Sequence, residues 1–381
     1  MTVSLVRADR VLTPDRELPD GWVLVEGDRI VQVGEGRAPL GAADGGRYAV
    51  LVPGFVDIHN HGGGGVAFAD GAEAALTARD AHLRQGTTTV VASLVTDTVD
   101  TLVEQARALR PLVEAGELGG IHLEGPWLSE RWCGAHPPHL LVDPDPADVA
   151  ALADAAGEAL VMVTLAPERA GALDAVRLLT ARGVRVAVGH SDATYAQTRA
   201  AVAAGATVAT HLYNGCRPLH HREPGPTTAL LEDPRVAVES IVDGTHLHDA
   251  VVRSVARQAG DRWVLVSDAM AAALVGDGDY RLGTLDVQVR DGVARLAAPG
   301  PDGAPGSIAG STLSLDRAVR TAVAAGVPLR DAVHAATAAP ADAIGRDDLG
   351  RLARGCRADL VGLDEGLRVR RVMRAGGWVG A

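Results

Sequence analysis

The sequence predicts an α/β protein: a TIM-type (β/α)8 barrel with a small β-sandwich domain formed by the two chain ends. Three observations carry that prediction. Short apolar runs recur through the middle of the chain, at Leu51–Asp57, Thr88–Ser93, Gly120–Leu123, Leu160–Leu165, Val184–Val188, Thr207–Thr210, Val236–Val242 and Trp263–Ser267. They are nearly continuous rather than alternating, as parallel strands covered on both faces are. Helical patterns separate most of them, and both termini read as short strands, which together give eight β/α units between two β-rich ends. A doubly wound open sheet is the alternative, and the count of eight favours the barrel.

Taken in order, Ser4–Arg7, Trp22–Glu26 and Arg29–Val33 are β runs, with Gly27-Asp28 as a hairpin turn between the last two. Ala358–Leu363 and Val369–Arg374 have the same character near the other end. Residues 1–50 and 355–381 are therefore expected to meet in one small β domain, with 51–354 forming the barrel. Helices are expected at Glu73–Arg84, Val99–Ala115, Pro146–Glu158, Ala170–Arg182, Tyr195–Ala204 and Asp249–Ala259. An insertion near 278–306 follows the eighth strand. Within it Tyr280–Ala298 reads as a β-hairpin turning at Asp291-Gly292, and Ala298–Gly310 as a loop near the barrel mouth. Helices at Leu313–Ala325 and Leu329–Ile344 complete the barrel.

Composition narrows the function. With 381 residues, 47% of them hydrophobic, the chain can bury one large core with a small companion. A formal net charge of −12 argues against a nucleic-acid partner. No apolar run is long enough to span a membrane, and Met1–Arg10 does not resemble a signal peptide. Cys133, Cys216 and Cys356 are too few and scattered for a disulfide framework, so a cytoplasmic location is expected. All 36 basic residues are arginine. The absence of lysine excludes a Schiff-base lysine, a P-loop lysine and a carbamylated lysine bridging two metals.

In such a barrel the C-terminal strand ends gather at one rim. The first strand ends in His59 and His61, two residues apart and therefore on one side of a strand, with Gly62–Gly65 following. The third ends in Glu124, the fifth in His190, the sixth in His211 and the eighth in Asp268. Glu124, His190 and His211 offer one carboxylate and two imidazoles, a set suited to a divalent transition metal with one position open to water. His59 and His61 could hold a second ion that shares Glu124 as a bridge. Asp268 is placed to take a proton from that water and return it to a leaving group. Each residue also has a plain structural reading. His59 and His61 could be solvated, His190 could cap the next helical turn, His211 could be a core histidine beside Tyr213, and Asp268 could be a helix N-cap. A buried Glu124 without a partner is the hardest to explain that way.

Several segments resemble the N-acetylglucosamine-6-phosphate deacetylases of the amidohydrolase superfamily, across nearly the whole chain. They are Pro53-Gly54-Phe55-Val56-Asp57, His122-Leu123-Glu124-Gly125-Pro126-Trp127 with Gly134-Ala135-His136, and Gly189-His190-Ser191. Thr210-His211-Leu212-Tyr213-Asn214, Arg222-Glu223-Pro224-Gly225, Asp243-Gly244-Thr245-His246 and Ser267-Asp268-Ala269 complete the set. The resemblance implies hydrolysis of the acetamide of a phosphorylated amino sugar. By that likeness Glu124, His190 and His211 ligate the main metal, Asp268 is general base and acid, and His136 polarises the amide carbonyl. Arg222 and His246 match a phosphate-binding pair, part of it supplied across a homodimer interface, and Asn214 with the Gly215 backbone matches a further substrate contact. The implied cofactor is one or two divalent ions, Zn2+ or Fe2+.

Some members lack the strand-one histidine pair and use a single metal; this chain keeps both residues. Gly215-Cys216 stands where the family often has alanine and methionine. Cys216 is either an oxidisable or soft-metal-binding thiol or a small lining residue, and His220 and His221 carry no assigned role. Competing readings are a deacetylase of the galactosamine epimer, a D-aminoacylase or cyclic-amide hydrolase, and a catalytically dead sugar-phosphate sensor.

Overall fold

The computed structural model describes residues 3–300 and 303–380. Eight parallel strands follow one another around a single sheet in strict chain order: Phe55–Asn60, Thr87–Val95, Gly120–Glu124, Leu160–Leu165, Arg185–Val188, Ala206–Ala209, Ala237–Ile241 and Trp263–Val266. The first and last meet just past their ends. The Asp268 N–H donates to the His59 carbonyl (2.9 Å) and the His61 N–H to the Ala269 carbonyl (2.8 Å). The ring therefore closes through the residues predicted to do the chemistry. Every residue of the strands Thr87–Val95 and Gly120–Glu124 is buried, which is why the sequence shows continuous apolar runs there.

Helices cover the outside, among them Ala72–Leu83, Val99–Glu114, Tyr195–Ala204, Asp249–Ala259 and Leu315–Ala324. Thr194 caps Tyr195–Ala204, accepting from the Gln197 N–H while the Gln197 side chain returns to the Thr194 N–H. That disposes of His190 as the cap. A helix at Gly225–Glu232 was not predicted, because Pro224, Gly225 and Pro226 at its start read as loop. The last predicted helix divides into Leu329–Ala335 and Ala338–Ala343. Pro340 has no N–H to offer the Ala336 carbonyl, so the first helix cannot run on.

The predicted first barrel strand, Leu51–Asp57, is corrected by the structure. Its first half ends the strand Ala43–Pro53, which pairs with Val3–Leu12 and Leu360–Leu363, and the barrel strand starts only at Phe55. Gly54 makes the switch. A Cβ there would lie 2.1 Å from Thr88 Oγ1, so only glycine lets the chain pass. Val50–Pro53 and Phe55–Asn60 are both buried, so the apolar pattern runs through the break.

The two chain ends do meet in one seven-stranded sheet, ordered Gly377–Trp378, Val369–Arg374, Leu360–Leu363, Ala43–Pro53, Val3–Leu12, Glu17–Glu26 and Arg29–Glu35. It has its own apolar core, including Val6, Val11, Val23, Ile30, Leu360 and Met373. The predicted hairpin insertion has one strand more. Gly278–Leu282, Leu285–Arg290 and Val293–Leu296 form an antiparallel meander, with the predicted turn at Asp291 (φ 51°) and Gly292 (φ 75°). Its Leu282, Val287 and Val289 pack with Val95, Met270 and Ala309, which fixes the meander over the barrel mouth.

Candidate active site

Glu124, at the end of the third barrel strand, is the centre of the rim. Its Oε1 lies 3.1 Å from His211 Nε2, 3.2 Å from His190 Nε2 and 3.5 Å from His59 Nε2. Its Oε2 lies 3.2 Å from His61 Nε2 and 3.4 Å from His136 Nε2. Asp268 Oδ1 faces the same space, 3.2 Å from His61 Nε2 and 3.6 Å from His59 Nε2. All of these residues are buried. His59 and His61 present Nε2 atoms 3.1 Å apart.

What aims the rings lies behind them. His59 Nδ1 meets Glu239 Oε2 (3.2 Å), His61 Nδ1 the Ser93 carbonyl (3.2 Å), His190 Nδ1 the Trp132 carbonyl (2.9 Å) and His136 Nδ1 the Thr96 hydroxyl (2.9 Å). Outward partners at Nδ1 leave the Nε2 atoms for the centre, the arrangement that metal-ligating histidines use. His190, His211 and Asp268 sit at φ 47°, 25° and 48°, a region that non-glycine residues seldom occupy. Such strain collects where side chains must be held in one direction.

Charge follows the geometry. Burial works against an ionised Glu124, but the surrounding imidazoles override it and hold its pKa well below the ordinary value. Asp268 is likewise desolvated, yet the hydrogen bond from His61 and the charges of His59 and His61 bring it down to about 2. It is therefore a carboxylate at neutral pH. Burial lowers His136 to about 4, so this ring is neutral. Burial also opposes charge on His246, but Asp243 Oδ2 at 2.8 Å from Nδ1 outweighs it and raises the pKa.

The donor set fits a divalent ion. Three groups, His59–Glu124–His211, His59–His61–Asp268 and Glu124–His136–His190, each bring one ligand atom per residue within 4.8 Å of the others. Imidazole nitrogen with carboxylate oxygen suits zinc or iron(II) in kind. The centre opens into a cavity of about 440 Å3 lined by His61, Glu124, His136, His190, His211 and Asp268. Asn214, Gly215 and His246 line it too, with Trp132, Leu282 and Ile308 on the outer walls.

Arg222 is not brought to this cavity. It lies on an exposed turn closed by a bridge between His220 and Glu223, where its guanidinium meets His221 Nε2 at 2.7 Å. Cys216 faces Thr227 Oγ1 (3.7 Å) rather than the cavity, and burial pushes its thiol pKa up. His246 does not cap a helix; His248 does that for Asp249–Ala259.

Sequence reasoning missed the supporting residues. His122, two before Glu124 on the same strand, lies beneath the centre between Ser93 Oγ (2.9 Å) and Thr164 Oγ1 (2.8 Å), edge-on to His59. Its two-residue offset from Glu124 was the available signal. Glu239 was signalled by a carboxylate inside the apolar run Val236–Val242. Thr96 carried no signal.

Known proteins share this architecture. A solved N-acetyl-D-glucosamine-6-phosphate deacetylase from Mycobacterium smegmatis, in complex with N-acetyl-D-glucosamine-6-phosphate, is 48% identical with TM-score 0.95, covering 100% of both chains. The N-acetylglucosamine-6-phosphate deacetylase of Thermotoga maritima is 34% identical with TM-score 0.87 over 99% of each chain. An N-acetylgalactosamine-6-phosphate deacetylase of Escherichia coli O157:H7 is 39% identical over 376 residues, 97% of each sequence. Residues 50–379 match the amidohydrolase family model, and with this rim of histidines and carboxylates in place the chain belongs to the amidohydrolase family.

Proposed function

We propose that this protein is a metal-dependent hydrolase that removes the acetyl group from N-acetylglucosamine 6-phosphate, giving glucosamine 6-phosphate and acetate. The observation that carries the proposal is the convergence of His59, His61, His136, His190 and His211 on Glu124, with an ionised Asp268 beside them. Relatives bearing this activity span nearly the whole chain, among them that of Vibrio furnissii at 35% identity over 380 residues.

Glu124, His190 and His211 would hold one divalent ion, and His59 and His61 a second. Zn2+ is the proposed ion and Fe2+ the alternative. An ion held there would supply Lewis acidity to the acetyl carbonyl and lower the pKa of a water toward neutrality. The other roles belong to side chains. Asp268 takes one proton from the attacking water. The water oxygen bonds to the carbonyl carbon, the C–N bond breaks, and Asp268 returns the proton to the departing nitrogen. His136 donates to the carbonyl oxygen as charge builds there. For this its proton sits on Nε2, and Nδ1 accepts the single proton of the Thr96 hydroxyl (2.9 Å), which then turns from the Glu124 carbonyl (3.2 Å).

His246, held by Asp243, receives the phosphate, and Asn214 with the Gly215 backbone orients the sugar. Arg222 points away from its own cavity, and in a homodimer it serves the phosphate in the cavity of a second copy of this chain. The same proposal divides the chain into a barrel and a β domain at the expected 51–354 and 1–50 with 355–381, except that residues 51–53 go to the β domain as the end of the strand Ala43–Pro53. No helix among the described residues is long and apolar enough to cross a membrane. A cytoplasmic location stays part of the proposal.

A deacetylase of N-acetylgalactosamine 6-phosphate is the second reading, favoured by the Escherichia coli relative. Acetate release from the two phosphorylated epimers and from free N-acetylglucosamine separates the readings. The proposal expects the phosphorylated gluco epimer to react fastest. Equal rates with and without phosphate would remove His246 and Arg222 from their roles. A faster galacto epimer would establish the second reading, and no turnover of metal-loaded protein would favour a sensor.

A further inference from the structure

Glu239 lies on the seventh barrel strand, is wholly buried and does not line the cavity at the rim. Among the described residues no arginine pairs with it; its ionic partner is His59. Oε2 lies 3.2 Å from His59 Nδ1 and accepts from the backbone N–H of His211, also at 3.2 Å. The Leu212 N–H donates to the Glu239 carbonyl (2.9 Å), so the same residue holds the strand-six turn through its backbone. A buried carboxylate is costly unless it is paired and hydrogen-bonded. A fold retains one where it performs a task that an apolar residue of the same volume cannot.

The task is visible in what Oε2 touches. Oε2 already accepts the His211 N–H, so it serves as the acceptor for His59 as well, which places a proton on His59 Nδ1 and turns Nε2 toward Glu124, His61 and Asp268. The His211 backbone is in the left-handed region at φ 25°, and its N–H is pinned by that same oxygen. His59 and His211 belong to two of the ligand groups around the centre. One oxygen therefore orients a member of the strand-one pair and a member of the Glu124 set together.

We infer that Glu239 is a positioning residue that fixes the His59 tautomer and thereby makes the strand-one histidine pair a metal site. This rests on the metal-dependent reading above. Partners behind a ligating histidine change metal affinity by about 10–100-fold when removed. Glu239→Gln keeps the volume, removes the charge and can offer an N–H where His59 needs an acceptor.

The test titrates metal-free protein with Zn2+ against a chromophoric chelator. Wild type, Glu239→Gln, His59→Asn and the double variant are compared, with thermal melts of each metal-free protein. The expected result is that Glu239→Gln weakens the weakest Zn2+ step about 10–100-fold. In the His59→Asn background the same substitution costs less than about threefold, because the residue it acts through is gone. An undiminished effect in that background, or none in wild type, overturns the inference. A wild type that binds no Zn2+ would instead defeat the metal reading itself. Should Glu239→Gln fail to fold, imidazole 15N spectra of the zinc-loaded wild type decide, with the His59 signals assigned by their loss in His59→Asn. A proton on Nδ1 supports the inference, and a proton on Nε2 overturns it.

Discussion

Gly215→Ala tests how tightly the rim is built. Gly215 sits at φ 53°, and a Cβ there would lie 2.7 Å from His190 Nδ1 and 2.8 Å from Cε1. Both separations are shorter than carbon contacts allow, and the obstacle is a ring rather than a flexible chain end. The methyl group therefore displaces the imidazole and breaks its 2.9 Å bond to the Trp132 carbonyl. Left-handed backbone costs alanine about 1–2 kcal/mol and the lost hydrogen bond about 1 kcal/mol, so stability should fall by about 2–3 kcal/mol. Gly183→Ala is the control. Its φ is 79° and nothing lies within 4 Å of the added carbon, so only the backbone cost of about 1–2 kcal/mol applies. Urea unfolding of the metal-free proteins measures both. Zn2+ affinity separates them further: Gly215→Ala should weaken it about 10–100-fold, and Gly183→Ala should leave it alone. Equal destabilisation of the two variants with unchanged Zn2+ affinity would refute the claim that Gly215 is there to seat His190.

Asp268→Asn should lower turnover by about 10²–10⁴-fold while the metal content stays at the wild-type level. Loss of metal instead would make Asp268 a ligand. Thr96→Val removes the hydroxyl that meets His136 Nδ1. Loss of one neutral hydrogen bond of about 1 kcal/mol should lower kcat several-fold with little change in KM, and an unchanged kcat would free His136 from its orientation by Thr96. Asp233 accepts from the Arg235 guanidinium (2.8 and 2.9 Å) and backbone and from Arg199, which lower its pKa. Because that pKa is depressed in the folded state, its stabilisation is full above the unfolded value of about 4 and is lost as the pH falls from there through the folded value. The gap in urea midpoint between wild type and Asp233→Asn should therefore shrink below about pH 4, and a gap independent of pH would refute the assignment.

The legible part of this protein is the part governed by periodicity. Strands buried on both faces write themselves as apolar runs, and the residue that ends each run is placed at the rim by the barrel itself. His59, His61, Glu124, His190, His211 and Asp268 could all be found that way. What the sequence hides is set by tertiary packing. The change of sheet at Gly54 leaves no mark, because Leu51–Pro53 and Phe55–Asp57 are equally buried in different sheets. The third strand of the mouth meander escaped because its first turn, Gly283-Thr284, is a weaker signal than Asp291-Gly292. Arg222 shows the limit of a motif. The segment is present, but the turn from His220 to Glu223 directs the guanidinium outward, and no local pattern reveals which cavity it serves.

The charge balance of the rim argues for a cation more strongly than any single residue does. Some buried carboxylates elsewhere in this arginine-rich chain are neutralised by guanidinium groups, Asp359 by Arg357 and Asp233 by Arg199 with Arg235, while Asp57 is held by Asn60 and Ser267. Around Glu124, Glu239 and Asp268 every ionic partner among the described residues is a histidine. The two choices differ in chemistry. A guanidinium is always charged and has no lone pair to give, whereas a neutral imidazole can donate one. A rim selected only for stability would favour arginine, or apolar residues of similar volume. Imidazoles aimed through Nε2, on backbone strained at His190 and His211, neutralise these carboxylates only while protonated, and as neutral ligands they leave negative charge for a cation. That negative charge, beside the cavity, is what a divalent ion would balance, and the left-handed backbone at His190, His211 and Asp268 holds the side chains toward it.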